Sequence, residues 1–375
     1  MSDKADSIVA RIVAAPHERL SVDDVTVLTG LQNRTPMMDK LLAVHFFLEQ
    51  QFDRALPHAA AVFRAEPSSE TAMNVADILR CAGRVTDAIA FVDTDGEMIE
   101  PLTRAELLCM MFTAVGDFAR ARSYGTEALR IKDAQATPAH ELNPVVQAFN
   151  PERPQRNVIV FSLWGQTDRY LEGAINNATI ARYLYPGWTV RIYSDQSVPQ
   201  PLRQELKYAG ADLRVPPQSW PAASHGLFWR FLVEDDPEVD IYIVRDADSV
   251  MNIKERAAVE DWLTSGRAFH VMRDYPSHCE LILAGMWGAH RGNIGDMQGR
   301  VEAYIAGAPK RLNDATADQE FLRRQIWPTV RQDALVHDEV FDFGETSPYP
   351  SGFRLPRNRH IGQNDWVHRQ PQRGA

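Results

Sequence analysis

A short apolar run that ends abruptly in acid constrains this chain more than any other feature in it. Ile241-Tyr-Ile-Val244 is continuous, apolar and β-rich, and Arg245-Asp-Ala-Asp-Ser249 follows without a break. Such a run reads as a strand buried on both faces, which is the signature of a parallel sheet covered by helices. In open α/β sheets ligands bind just beyond the carboxyl ends of the strands. If strand alternation continues past Arg245, Asp246 and Asp248 share a face and Arg245 takes the other, where an ion pair or a phosphate contact are equal readings. Two carboxylates held that close repel, so one takes a proton or both share a cation. Hard oxygen ligands at this spacing suit Mg²⁺ or Mn²⁺, which could in turn hold a diphosphate. The pair alone says little, because Asp93-Thr-Asp95 repeats it in helical surroundings. The competing reading is a solvated turn after a strand.

The surroundings favour a sheet. Asn157-Val-Ile-Val-Phe-Ser-Leu163 reads as a buried strand running into a turn at Gly165. Asp168 is a candidate N-cap for a helix to about Tyr183, with Leu171, Ala174, Ile175, Ala178 and Ala181 on one face. Strands are expected over Trp188–Asp195 and near Leu213–Val215, with helices around 200–209 and over His225–Glu234. Strand alternating with helix argues for a parallel sheet. Beyond Asp248 the expectations are a helix over Ile253–Leu263 stopping at Gly266, then strands over Phe269–Asp274 and Leu281–Trp287. Thr316-x-x-Gln319 fits a capping box opening a helix Asp318–Trp327 that Pro328 ends.

The first part of the chain is different. Residues 1–35 are weakly patterned, but Gln50, Gly83 and Gly116 recur at a spacing of 33, and Ala55, Ala88 and Ala121 follow five residues after each. Gly116 to Leu129 resembles the second helix of a tetratricopeptide repeat, with a turn glycine followed by small residues where helices pack closely. Residues 1–135 are therefore expected to form an all-α, tetratricopeptide-like helical repeat domain suited to binding a partner. Pro138, Pro144, Pro151 and Pro154 mark 136–156 as a linker, leaving 157–375 as the second domain.

Composition narrows the function classes. The chain carries a net charge of −10 with no basic stripe, which argues against nucleic acid as a partner. Cys81, Cys109 and Cys279 are too few and too scattered for a disulfide framework or a zinc site. With a mean hydropathy of −0.32, a polar start and no apolar run of membrane length, a cytoplasmic protein without a transmembrane segment is expected.

Residues 157–344 resemble the GT-A glycosyltransferases, a Rossmann-like, mostly parallel α/β fold. The likeness is carried by Phe161-Ser-Leu-Trp-Gly165, Tyr185-Pro-Gly-Trp188, Phe228-Trp-Arg-Phe231, Arg245-Asp-Ala-Asp-Ser249, Gly285-Met-Trp-Gly288 and Asp318-Gln319. It is strongest to an uncharacterised bacterial group and more distant to the retaining enzymes of glycosyltransferase family 8. It implies a nucleotide-sugar donor, UDP-linked, a metal, usually Mn²⁺ (or Mg²⁺), and a glycan, protein or small-molecule acceptor. By it Asp246 faces the nucleotide sugar, Asp248 ligates the metal, Ser162, Trp164 and Trp287 join the donor site, and Asp318 and Gln319 lie near the reacting sugar. Trp287 reads equally as core. Arg230 reads as a phosphate contact or as a surface ion pair.

The third metal ligand in such folds is often a late histidine. His360-Ile-Gly362 followed by Trp366 is similar to the family 8 closing pattern, although its glycine is one residue early and its lysine is missing, so His368 is the alternative. Asp274, Tyr275 and His278 are expected on the acceptor side, and 341–375 is expected to wrap over the site. Two rivals are weighed against this: a repeat-protein adaptor with an inactive GT-A half, and a phosphatase of the haloacid dehalogenase type, whose acidic motif belongs on an opening strand.

Overall fold

The computed structural model describes residues 2–15, 18–137, 141–307, 316–355 and 359–364, which divide into two compact units, 1–128 and 129–375. Among the described residues no helix is long and apolar enough to cross a membrane.

The first unit is all helix: α1 Ser2–Ala14, α2 Val22–Thr29, α3 Pro36–Leu48, α4 Phe52–Ala65, α5 Ser69–Cys81, α6 Val85–Asp95, α7 Pro101–Ala114 and the start of α8, Phe118–Ala134. The 33-residue spacing has a conformational cause. Gln50, Gly83 and Gly116 have φ of 57°, 75° and 76°, so each places one left-handed residue between paired helices. At all three the next N–H reaches back five residues, Gln51 to Phe46, Arg84 to Leu79 and Asp117 to Phe112, at 2.8–2.9 Å. This is the Schellman stop, and an αL residue is what it needs. A side chain at Gly83 or Gly116 would meet nothing within 4 Å, so the glycines answer to φ and not to space. Gln50 bears that strain with a Cβ, which costs an L-residue roughly 1–2 kcal/mol, partly offset by the floppier unfolded glycine. Gln50→Gly should therefore raise stability by about 0.5–1 kcal/mol. An unchanged or lower melting temperature would show that the Gln50 side chain compensates.

The second unit alternates strand and helix: β1 Asn157–Leu163, α9 Asp168–Leu184, β2 Thr189–Ser194, α10 Gln200–Tyr208, β3 Asp212–Arg214, α11 Ala222–His225, then β4 Ile241–Arg245 and α12 Ile253–Ser265. After these come β5 Phe269–Arg273, β6 Met286–His290, α13 Met297–Gly307, α14 Ala317–Phe321, α15 Trp327–Val330 and β7 Ala334–Asp338. The sheet has seven strands in the order β3-β2-β1-β4-β6-β5-β7. Strands β1 to β4 are mutually parallel, while β6 runs antiparallel to both its neighbours.

Alternation along β1 and β4 assigns the two cores. Ile159, Phe161, Leu163, Ile241 and Ile243 pack with α9, α10 and α12 on one face. Val158, Val160, Tyr242 and Val244 face the other way, against Trp229, Phe231 and Val233. Those three belong to a ten-residue 3₁₀ segment, Gly226–Asp235, that replaces the expected helix over His225–Glu234. Two further expectations change. The strand expected over Leu281–Trp287 begins only at Met286. Pro328 does not end its helix: a π-turn over Leu322–Ile326 resets the register, so Pro328 falls in the first turn of α15, where a missing N–H costs little.

Candidate functional site

Strand order reverses between β1 and β4. The chain winds outward from β1 through β2 to β3, then returns to lay β4 on the other side of β1. A crevice opens outside the carboxyl ends of strands at such a switch point. Here it is a cavity of about 620 Å³, lined by Ser162 near the end of β1 and Trp164 just beyond it, Asp246 and Asp248 after β4, and Asp318 and Gln319 on α14.

Asp246 and Asp248 do not continue the strand. β4 stops at Arg245, and Ser249 N–H donates to the Asp246 carbonyl at 3.1 Å, closing a turn. The turn still aims both carboxylates into the cavity, because glycines let neighbouring backbone approach it. A Cβ at Gly173 on α9 would stand 2.8 Å from the Asp248 Cα, and one at Gly285 would strike the Asp246 carboxylate. Arg245 turns to the opposite face, buried, with Nε 2.6 Å from Glu255 Oε1. It is a structural ion pair.

Arg230 organises the cavity floor. The 3₁₀ segment holds it 4% exposed, and its own N–H donates to Ser162 Oγ at 2.9 Å. The guanidinium donates to Asp246 and, at 2.6 Å, to Asp318 Oδ2. It is therefore a buried bridge between two acids, not a surface pair. Burial raises the Asp318 carboxyl to about 6, against the pull of Arg230. Burial and the Asp246 charge also raise Asp248. The oppositely charged partner of Asp248 is Arg169, with Nε at 3.1 Å from Oδ2, and Asn364 Nδ2 donates to the same oxygen at 3.1 Å.

Gln319 is not a capping-box partner: Thr316 makes no side-chain cap bond, and Gln319 N–H donates to Asp318 Oδ1 at 2.9 Å. Its Oε1 is buried with no hydrogen-bond partner among the described residues. Trp164 walls the cavity, and Gly226 lies so flat on its ring that a Cβ there would come within 2.9 Å.

Two expected site residues are elsewhere. Trp287 is fully buried, edge-on to Tyr242 at 5.6 Å and tilted on Phe231, so it is core and no stacking platform. Its place opposite Val244 in the sheet points it under the 3₁₀ segment. Gly285 and Met286 take the cavity wall instead. His360 stacks on Tyr275 at 4.3 Å and lies edge-on to His278 at 4.8 Å. The structure does not gather it with Asp246 and Asp248: among the described residues no group of three or more His, Cys, Asp or Glu could hold a metal ion. His368 and Trp366 lie outside the described residues. Of the expected acceptor cluster, His278 lines the cavity. Its Nδ1 accepts from Asp274 N–H at 3.3 Å, so a neutral ring carries its proton on Nε2, and burial lowers the ring to about 3. Part of the expected wrap is present: Gly362 lines the cavity and accepts from Ser249 Oγ at 2.8 Å. Arg169 and Asn364 carried no sequence signal, since neither belongs to a motif and only folding brings them to Asp248.

The comparisons give little more. No protein-family model matches the chain. No curated protein matches it. Among solved structures, an O-GlcNAc transferase mutant from Thermobaculum terrenum is 16% identical with a TM-score of 0.39, covering 64% of this chain and 46% of that one. The mannosyltransferase PcManGT from Pyrobaculum calidifontis, in complex with GDP-Man and Mn²⁺, is 13% identical with a TM-score of 0.33, covering 66% of this chain and 70% of that one. The chain thus spans under half the length of the first.

The raised Asp318 carboxyl has a consequence for pH. A folded value of about 6 against the ordinary 3.8 means its stabilising contribution is complete below about 3.8 and is lost as pH rises through about 6. The stability difference between wild type and Asp318→Asn should therefore vary between pH 4 and 6 and be flat above 7. Urea unfolding at stepped pH measures it, and a difference that does not vary with pH would mean that folding leaves the Asp318 carboxyl at its ordinary value.

Proposed function

We propose that this chain is a glycosyltransferase of the GT-A type, moving a sugar from a nucleotide-sugar donor with the help of a divalent cation. The observation that carries the proposal is the Asp246–Arg230–Asp318 bridge, which sets one β4-end carboxylate, one α14 carboxylate and a buried arginine around the cavity at the switch point that Asp248 also lines. The sequence resemblance over 157–344 supplies the reaction type, and the cavity supplies room for it.

The donor set fits a small, hard cation that is completed by phosphate oxygens. Mg²⁺ and Mn²⁺ are commonly held by one or two carboxylates plus substrate phosphates and water, which Asp246 and Asp248 can provide. It does not fit a cage closed by protein alone, since no third ligand of the His, Cys, Asp or Glu kind joins them among the described residues. When bound, the cation would stabilise the negative charge that gathers on the leaving diphosphate.

The chain's own residues have separate tasks. Arg230 holds Asp246 and Asp318 at fixed positions, and Ser162 pins its backbone, so the carboxylates are aimed before the donor enters. Trp164 offers an aromatic wall to the nucleotide side. Gln319 Oε1 is a buried acceptor awaiting a donor, which a sugar hydroxyl would supply. His278, neutral and protonated on Nε2, offers a donor from the far wall. The helical unit, with its repeated hairpin stop, is assigned to binding the acceptor or a protein partner.

A thermal-shift panel of nucleotide sugars with and without Mn²⁺ tests the proposal. A donor at ~100 times its dissociation constant should stabilise the protein by ~2.7 kcal/mol, with Mn²⁺ required for the full shift. Silence across the whole panel would favour an adaptor whose sheet domain no longer binds a donor.

A further inference from the structure

The two carboxylates of the β4 turn are each matched by an arginine, but the two pairings are unlike. Arg230 is buried, donates directed hydrogen bonds to Asp246, to Asp318 and to the Arg245 carbonyl at 3.1 Å, and has nowhere else to go. Arg169 sits in the first turn of α9 with its side chain 37% exposed. Its Nε stands 3.1 Å from Asp248 Oδ2, yet that N–H makes no directed hydrogen bond among the described residues, so the contact is charge against charge. Its guanidinium otherwise lies over the Tyr170 ring at 4.4 Å and donates to the Tyr170 hydroxyl. Tyr170 lines the cavity mouth.

From this asymmetry we infer that Arg169 is the exchangeable counter-ion of Asp248, holding the place of a divalent cation and competing with it. Two carboxylates one residue apart need neutralising charge whether or not a cation is present. Arg230 supplies a permanent half of it. Arg169 supplies the other half until a cation arrives, then leaves along the Tyr170 ring, where it keeps a cation–π contact. Arg169 is thus a positioning residue. Its presence lowers affinity for the cation and keeps the turn ordered without one. The inference rests on the proposed cation-binding role of the turn.

The test is Mn²⁺ binding to the full-length protein, followed by electron paramagnetic resonance of the free ion, with Mn²⁺ alone and with Mn²⁺ plus UDP. Arg169→Ala should bind Mn²⁺ roughly twofold to fivefold more tightly than wild type, the span expected when a partly exposed ion pair of up to about 1 kcal/mol is removed. Arg169→Lys, which keeps the charge, should stay near wild type. Melting curves of both variants confirm that the fold survives. Equal affinity in wild type and Arg169→Ala, or weaker binding in Arg169→Ala, overturns the counter-ion role while leaving cation binding intact. No Mn²⁺ bound by any of the three proteins, with or without UDP, overturns the cation-binding role of the turn, and the counter-ion role with it.

Discussion

Arg230→Ala is expected to lower the stability of the sheet unit by about 3–5 kcal/mol at pH 8, because removing one partner of a buried pair strands the other. Asp318 would be the stranded group, 2% exposed and without its guanidinium. It has an escape. Burial already raises it to about 6, and losing Arg230 removes the main influence lowering it, so it will take a proton more readily. The deficit should therefore shrink at pH 5.5, where protonation relieves it, and be full at pH 8. Arg230→Lys should not rescue, since one ammonium cannot span two acids as the guanidinium fork does. Adding Asp318→Asn should recover much of the loss, which makes the coupling measurable as a double-mutant cycle. Urea unfolding of the four proteins at both pH values gives the answer. A midpoint for Arg230→Ala unchanged at pH 8 would mean the bridge contributes nothing to the fold.

Asp248→Ala should do the reverse, leaving the fold and removing the activity. The side chain is 14% exposed and is held by Arg169 and Asn364, while burial and Asp246 both oppose its charge. Taking it away removes a repulsion along with a partner, so the melting temperature should move by no more than a few degrees. If the proposed two-carboxylate cation site is right, losing half of it should cut donor turnover about 10³-fold, the scale of several kcal/mol of transition-state stabilisation. Release of the nucleoside diphosphate from the donor can be followed without knowing the acceptor. Full turnover in Asp248→Ala with Mn²⁺ present would reduce the pair to an ordinary turn.

Much of the site could be read before folding because strand ends are legible. The apolar runs of β1 and β4 give way to polar residues at Ser162 and Arg245, and a parallel sheet brings such ends together. Ser162, Trp164, Asp246 and Asp248 reach one cavity for that reason, while Arg230 comes to it from the 3₁₀ segment and Asp318 and Gln319 from α14. Trp287 failed because its position in β6, not its residue type, decides which face it takes, and that depends on a register no local pattern encodes. His360 failed because its closing segment is positioned by single contacts, such as Ile361 N–H to Asp274 Oδ2 at 2.9 Å, that leave no periodic trace. Arg169 was invisible because it acts through a partner 79 residues away. In the helical unit the 33-residue spacing was legible as a number, and the left-handed stop at Gln50, Gly83 and Gly116 explains it. The 3₁₀ and π segments were not, since both depart from the 3.6-residue period on which a helix is recognised.

The direction of β6 divides the cavity between two kinds of chain. Asp246 and Asp248 come from a turn that leaves a strand, while Gly285 ends a connection that enters one at Met286, after the run from Asp274. A lineage could therefore lengthen, shorten or rewrite 275–284 and reshape that wall of the cavity, with the acidic turn untouched. Changes to the shape of that wall and changes to the acidic turn would fall on separate stretches of sequence, and a library confined to those positions with His278 kept would explore the first without altering the second.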